Sequence, residues 1–193
     1  MGKEKIGLYF GSFNPIHNGH LTLADYILKN TELGKIWFVV SPQNPLKSLS
    51  SLLDNKTRLD LVKLAIEGND NFIASDVEFS LSYPSYTINT LNYLSNKYPQ
   101  KDFSLIIGQD NLVNFPKWRD YQKILSSYNI YVYPRKDCSF SPLQEHPSIH
   151  LLNSPLLDIS ATQIRELIKK DKDIQAFLPE KVCQEIIRKG LYR

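Results

Sequence analysis

Cysteine is scarce in this 193-residue chain, which has only Cys138 and Cys183, far apart in the sequence. Two distant thiols exclude a fold held together by several disulfides, and they lack the spacing typical of a metal site. Long hydrophobic runs are also missing, so the sequence predicts neither a secretory leader nor a membrane span. We therefore expect free thiols in a reducing compartment, with the cytoplasm as the location.

An excess of one sign of charge is also absent. The chain has 23 Lys and Arg against 20 Asp and Glu, a formal net charge of +3 without any long basic run. This balance excludes nucleic acid and a membrane surface as expected partners, but it is compatible with a basic cleft for small anions. The hydrophobic content of 42% argues against disorder. We expect a monomer or a small homo-oligomer.

Predicted strands and helices alternate along the chain. Strands are expected at 5–10, 35–40, within 72–79, 103–107, 129–133 and 149–152, and helices at 18–31, 54–67, 87–98, 120–126, 162–170 and 180–189. This order predicts a Rossmann-like, doubly wound α/β fold, in which an open, mainly parallel sheet has helices on both faces. We expect one domain over residues 1–193, with a helical C-terminal part from about residue 160 packed on it. Ligands of such sheets bind beyond the carboxyl ends of the strands.

Several helix ends carry the residues that favour them. Asp54 is expected to cap the second helix, and Gly68 is expected to close it. Pro179 and Gly190 lie near the start and end of the last predicted helix.

The segment Gly11–His20 connects the first predicted strand to the first predicted helix. Backbone N–H groups at a helix start, together with the helix dipole, favour negative charge, and glycine allows a ligand to approach closely. His17 and His20 lie three positions apart and add side-chain donors on one face of this turn. One alternative to anion binding is that the glycines serve only the geometry of the turn. A zinc half-site is another, but no spaced Cys or acidic group obviously completes it.

A second candidate anion site lies at Ile159–Glu166. Ser160 and Gln163 match a capping box, so a helix should begin just after Ser160, and any good helix start could look the same. Thr162 and Arg165 add a hydroxyl and a guanidinium close to the first amides of that helix. Two such sites in a small domain favour a polyphosphate ligand.

Six segments together resemble the bacterial nicotinate-nucleotide adenylyltransferases, within the larger group of nucleotidyltransferases that share a His-x-Gly-His turn. They are Gly11–Leu21, Ser41–Lys47, Ser85–Leu91, Ile106–Asn111 followed by Trp118, Tyr133–Arg135 and Ile159–Arg165. The His-x-Gly-His turn alone identifies only the broad group, whereas all six segments in order are specific. The resemblance covers almost the whole chain.

This resemblance implies that ATP transfers its adenylyl group to nicotinate mononucleotide, giving deamido-NAD and pyrophosphate. His17 and His20 would be catalytic, with His20 at the α-phosphate, and Mg²⁺ would bind mainly through the ATP phosphates, without a dedicated protein metal site. The residues implied in ATP binding are Gly11, Ser12, Phe13, His17, His20, Lys47, Ser160, Thr162 and Arg165.

The residues implied in binding nicotinate mononucleotide are Ser12, Lys47, Tyr86, Thr87, Gly108, Asp110, Trp118 and Arg135. Trp118 would stack on the pyridine ring, although a surface tryptophan between Lys117 and Arg119 could also simply pack. Thr87 is expected to cap the following helix, whose N–H groups would receive the nicotinate carboxylate. Asp110 suits sugar hydroxyls, with an ordinary helix cap as its alternative role.

Three positions depart from the family pattern: Asn14, Leu46 and Ala161. They respectively remove a common carboxylate, a common histidine and a serine hydroxyl, but none of them removes both anion sites. Two other classes of function stay open from the sequence. One is an adenylyltransferase for another acceptor, such as phosphopantetheine or nicotinamide mononucleotide, and the other is a nucleotide-binding sensor without turnover.

Overall fold

A computed structural model describes residues 2–42, 52–81 and 84–193 of the chain. Six strands span Glu4–Gly11 (β1), Lys35–Val40 (β2), Phe72–Ser75 (β3), Lys101–Gly108 (β4), Ile130–Tyr133 (β5) and Ile149–Leu151 (β6). Seven α-helices lie within the described ranges, at Asn18–Asn30 (α1), Asn55–Ile66 (α2), Thr87–Lys97 (α3), Gln109–Asn114 (α4), Tyr121–Ser127 (α5), Ala161–Lys169 (α6) and Glu180–Lys189 (α7).

The six strands form one sheet in the order β3-β2-β1-β4-β5-β6, and every neighbouring pair is parallel. The chain moves outward from β1 to β3 and then returns to place β4 against the other side of β1. Leu8 of β1 pairs with Trp37 of β2 and with Leu105 of β4. The strand order therefore reverses between β1 and β4, and a crevice opens there at the carboxyl ends of the strands.

Strand residues alternate between two hydrophobic cores, because successive side chains of a strand point to opposite faces of the sheet. In β2, Phe38 packs in one core and Trp37 in the other. Helices α1, α2, α6 and α7 cover the first face, whereas α3, α4 and α5 cover the second. The expected doubly wound α/β fold is therefore confirmed, and its sheet is entirely parallel within the described residues.

The predicted helix caps of α2 and α7 are present. The Asp54 side chain accepts a hydrogen bond from the backbone N–H of Thr57 at 2.9 Å. Gly68, just beyond the end of α2, has φ +84°, and Gly190 ends α7 in the left-handed conformation. Glycine adopts this conformation without the steric cost that other residues incur.

The sequence did not predict α4 or the 3₁₀ turns Val77–Phe79, Phe115–Lys117 and Pro142–Glu145. These elements have three to six residues, too short for the helical repeat of apolar positions to emerge. The predicted strand within 72–79 ends at Ser75 because the chain turns into the first of these 3₁₀ segments.

Candidate active site

A cleft of about 1220 Å³ lies at the carboxyl ends of the strands. All of the site residues predicted from the sequence line it, apart from Lys47, which lies outside the described residues together with Leu46. They are Gly11, Ser12, Phe13, His17, His20, Tyr86, Thr87, Gly108, Asp110, Trp118, Arg135, Ser160, Thr162 and Arg165. Segments distant in sequence thus meet at one concave surface.

His17 and His20 form a stacked pair at the start of α1. Their ring centroids are 3.6 Å apart, with an angle of 27° between the rings. The backbone N–H of His17 donates to Nδ1 of His20 at 3.2 Å. Because Nδ1 accepts this hydrogen bond, neutral His20 carries its proton on Nε2, which gives that nitrogen a defined role as a donor.

His17 is nearly buried, with 5% of its surface exposed, and its Nδ1 has no hydrogen-bond partner among the described residues. Burial, with a smaller contribution from the positive charge of Arg135, lowers the pKa of His17 from 6.5 to about 4. The imidazole is therefore neutral at pH 7. The closely packed ring leaves little room beside Gly19, where a Cβ atom would lie 3.1 Å from Nδ1 of His17.

This pKa predicts how stability depends on pH. The unfolded chain binds a proton at His17 between the unfolded pKa of 6.5 and the folded pKa of about 4. The stabilisation from neutral His17 is thus present above pH 6.5 and is lost as the pH falls to about 4, by up to about 3 kcal/mol. Urea unfolding at several pH values should show a flatter profile for His17→Gln than for the wild type. The exposed-site control His150→Gln should follow the wild-type curve, and a parallel curve for His17→Gln would contradict the prediction.

Two aromatic side chains pack against the His20 ring. The Phe13 ring meets the His20 ring edge-on at 5.1 Å, and the Tyr9 ring does so at 5.9 Å. A Cβ atom at Gly11 would lie 2.8 Å from the Phe13 ring, so this position requires glycine for close packing. The position of His20 therefore depends on the conformation of the turn beneath it.

The second predicted anion site contacts the first directly. Ser160 caps α6, as expected, by accepting a hydrogen bond from the backbone N–H of Gln163 at 3.1 Å. The Arg165 guanidinium donates to the carbonyl of Asn14 at 2.8 Å and to the hydroxyl of Thr162 at 3.2 Å. Arg165 thereby joins the start of α6 to the turn between β1 and α1, so the two motifs form one continuous wall of the cleft.

The other wall is built from the ends of β4 and β5 and the segment after α4. Nε of Arg135 lies 3.7 Å from Oδ1 of Asp110, and its guanidinium lies over the Tyr133 ring at 5.1 Å. A Cβ atom at Gly108 would collide with the Asp110 carboxylate, so glycine leaves the space that this carboxylate occupies. The half-buried Trp118 ring packs against Phe115 at 4.9 Å while also lining the cleft.

The predicted cap of α3 is wrong in one detail. Tyr86 occupies the cap position in an extended conformation, and Thr87 is the first helical residue. No side chain makes a cap hydrogen bond there. The N-terminus of α3 still lines the cleft through Tyr86 and Thr87, and the Arg119 guanidinium lies 4.9 Å over the Tyr86 ring. The first N–H groups of α3 are therefore presented without a cap from Thr87.

Sequence reasoning missed Glu78, which lines the cleft although only 3% of its surface is exposed. Its carboxylate oxygen accepts a hydrogen bond from the hydroxyl of Thr90 at 2.8 Å. Burial raises the pKa of this carboxyl group. Through this bond to Thr90, Glu78 holds the first turn of α3 in place. No local sequence signal distinguishes such a glutamate from an exposed one.

Two features are absent from the part of the chain that the structure describes. There, no helix is long and apolar enough to cross a lipid bilayer. The same residues contain no group of three or more His, Cys, Asp or Glu side chains arranged to hold a metal ion.

Comparisons with known proteins agree with this geometry. Residues 8–167 match the cytidylyltransferase-like family. A relative from Cytophaga hutchinsonii, named "probable nicotinate-nucleotide adenylyltransferase", is 51% identical over 188 residues, covering 97% of this chain and 98% of the relative. A relative of the same name from Bacteroides fragilis is 47% identical, covering 97% and 94%. The chain therefore belongs to the cytidylyltransferase-like family and, within it, to the nicotinate-nucleotide adenylyltransferases.

A solved structure shares the fold at lower sequence identity. It is the Plasmodium falciparum nicotinic acid mononucleotide adenylyltransferase complexed with NaAD. The two chains superpose with a TM-score of 0.81 and are 22% identical, over 98% of this chain and 97% of the other. This similarity supports the Rossmann-like arrangement of the sheet and helices.

Proposed function

We propose that this protein transfers the adenylyl group of ATP to nicotinate mononucleotide, forming deamido-NAD and pyrophosphate, as a cytoplasmic enzyme of NAD biosynthesis. The observation that carries the proposal is the hydrogen bond from Arg165 to the carbonyl of Asn14. It joins the His17–His20 turn to the Thr162–Arg165 turn of α6. A single triphosphate can then contact both groups of donors at once.

The proposed reaction is an in-line attack by the acceptor phosphate on the α-phosphorus of ATP. A bond forms between an acceptor phosphate oxygen and the α-phosphorus, while the bond from the α-phosphorus to the bridging oxygen breaks and pyrophosphate leaves. The nucleophile is already an anion near neutral pH, so no strong base is required. The protein would contribute alignment and stabilisation of the negative charge that develops at the α-phosphate.

We assign roles within the cleft from the family resemblance, together with the positions of the described donors. His20, with its Nε2 proton, would donate to the α-phosphate, while His17, Ser160, Thr162 and Arg165 would contact the other phosphates of ATP. Gly11, Ser12 and Phe13 would contribute backbone contacts. The family resemblance adds the side chain of Lys47, which lies outside the described residues. None of the described serine or threonine residues is proposed as a nucleophile.

The acceptor would occupy the opposite wall. Trp118 would stack on the pyridine ring, and the α3 start at Tyr86 and Thr87 would receive the carboxylate. Gly108, Asp110 and Arg135 would lie beside the ribose and phosphate. The resemblance assigns Ser12 to the same nucleotide, together with Lys47, which lies outside the described residues.

Magnesium would enter with ATP. Mg²⁺ prefers several oxygen ligands in octahedral geometry. Of the three carboxylates that line the described cleft, Glu78 accepts a hydrogen bond from Thr90, Asp110 lies beside Arg135, and the third is Asp158. Phosphate oxygens and water would therefore supply most of its coordination. When bound, the metal ion would neutralise charge on the leaving pyrophosphate.

Pyrophosphate release tests this proposal directly. The full-length protein should release pyrophosphate from MgATP with nicotinate mononucleotide, and phosphopantetheine should give no release above background. Efficient pyrophosphate release with phosphopantetheine would show that phosphopantetheine, and not nicotinate mononucleotide, is the acceptor. Tight ATP binding without pyrophosphate from any acceptor would instead support the sensor function.

A further inference from the structure

Arg58 of α2 is completely buried, although arginine is among the residues least often found inside proteins. Its guanidinium donates to four backbone carbonyls and one side chain: Ser12 at 2.6 Å, Ser41 at 2.8 Å, Leu53 at 2.9 Å, Pro42 at 3.1 Å and Oδ1 of Asn55 at 2.7 Å. These bonds connect α2 to the carboxyl ends of β1 and β2, which form the floor of the cleft.

No carboxylate within the described residues makes an ion pair with Arg58. Backbone carbonyl dipoles stabilise the charge instead. Removing a charge from water is costly, and a well-packed apolar side chain is often at least as stabilising at such a position. The hydrogen bonds of Arg58 are therefore weak evidence for a gain in stability. They show instead which backbone groups this side chain orients.

The shortest of these bonds orients the peptide group between Ser12 and Phe13. In a trans peptide the C=O and the N–H point in opposite directions. Because the Ser12 carbonyl points to Arg58, the Phe13 N–H points away from Arg58. Ser12 and Phe13 line the cleft and Arg58 does not, so we place the N–H that points away from Arg58 on the cleft side of the turn.

Phe13 adopts an unusual backbone conformation with φ +45°. A residue with a Cβ atom pays on the order of 1 kcal/mol for this left-handed conformation. Hydrogen bonds hold the turn on both sides of Phe13, since Arg58 binds the Ser12 carbonyl and Arg165 binds the Asn14 carbonyl. The same conformation places the Phe13 ring against His20.

We infer that Arg58 is a positioning residue for adenylyl transfer: its guanidinium fixes the Ser12–Phe13 peptide so that the Phe13 N–H faces the phosphates and the Phe13 ring supports His20. This inference rests on the proposed function. It assigns to a buried side chain, which contacts no substrate itself, control over two donors at the reacting phosphate.

The test compares Arg58→Lys with a control variant at another buried position of the same helix. Lysine keeps the charge but cannot bond several carbonyls in a fork. We expect kcat to fall roughly 10- to 100-fold, because small displacements of catalytic groups have effects of this size. The KM for ATP should change less than kcat. Leu61→Ala, on the same helix and equally buried, should lower the Tm while retaining wild-type kcat, with all rates measured well below each Tm.

A second, milder variant keeps the test decisive if Arg58→Lys does not fold. Asn55→Ala removes one acceptor of the guanidinium and leaves the bond to Ser12, and Asn55 does not line the cleft. We expect kcat to fall about threefold, the effect of weakening one hydrogen bond. Asn55→Asp, which restores the acceptor, should recover the wild-type rate.

Wild-type kcat in Asn55→Ala, or in folded Arg58→Lys, would overturn the inference. A failure of the proposed function looks different, because the wild type itself would then release no pyrophosphate from any acceptor. In that case calorimetry with MgATP still decides the role of Arg58, since Arg58→Lys should bind MgATP more weakly than Leu61→Ala does. Equal affinities of these two variants would also overturn it.

Discussion

Replacing His20 with alanine should lower kcat by about 10²- to 10³-fold, the typical effect of removing one donor to a transition-state oxyanion. The His17 backbone fixes the His20 ring by donating to its Nδ1, and the Phe13 ring packs against it. The lost donor would act on charge that develops during the reaction, so KM for ATP should change only a few-fold. Steady-state pyrophosphate release measures both constants.

His150→Ala provides a control of the same residue type. His150 lies in β6, bonds to Asn129 and does not line the cleft, so its replacement should leave kcat unchanged. If His20→Ala turned over within a few-fold of the wild type, the assignment of His20 to the α-phosphate would be wrong.

Nicotinamide mononucleotide should be used at least about 10²-fold less efficiently than nicotinate mononucleotide, measured as kcat/KM with saturating MgATP. The start of α3 presents N–H groups and the positive end of the helix dipole, which favour a carboxylate. An amide places its own NH₂ donor against these N–H donors and leaves them poorly paired. The uncapped start at Tyr86 and Thr87 makes those groups accessible.

The same experiment separates acceptor choice from catalysis. KM for ATP should be nearly equal with either acceptor, because the proposal places the two nucleotides mainly on different walls of the cleft. Comparable kcat/KM for the acid and the amide would contradict the proposed carboxylate site at α3, yet it would leave adenylyl transfer itself supported.

Most of the fold could be predicted because it is encoded locally. Short apolar runs mark the strands, and caps such as Asp54 and Gly190 mark helix ends. The six-residue helix α4 could not be predicted, since its position depends on Leu112 packing under the sheet rather than on a repeat in its own sequence. The order of the strands and longer helices can thus be predicted from the pattern of apolar residues, whereas the short elements depend on tertiary contacts.

The candidate site was predictable where donors are clustered in one segment. His17 and His20 lie three positions apart in sequence and stack in space, which local spacing can indicate. Arg58 and Glu78 were not predictable, because the burial of each depends on contacts with residues outside its own element. Tyr86 rather than Thr87 occupies the cap position of α3, a one-residue difference that local propensity does not resolve.

The division of the cleft into two walls has a consequence for redesign. The residues assigned to ATP lie mainly near both ends of the chain, whereas Tyr86 to Arg135 contains most of those assigned to the acceptor. Replacing that central stretch with the one from a relative that uses a different acceptor would therefore transfer most of the acceptor specificity with a single segment. Such a chimera must keep the pairing of Leu105 with Leu8, since β4 is an interior strand that adjoins β1.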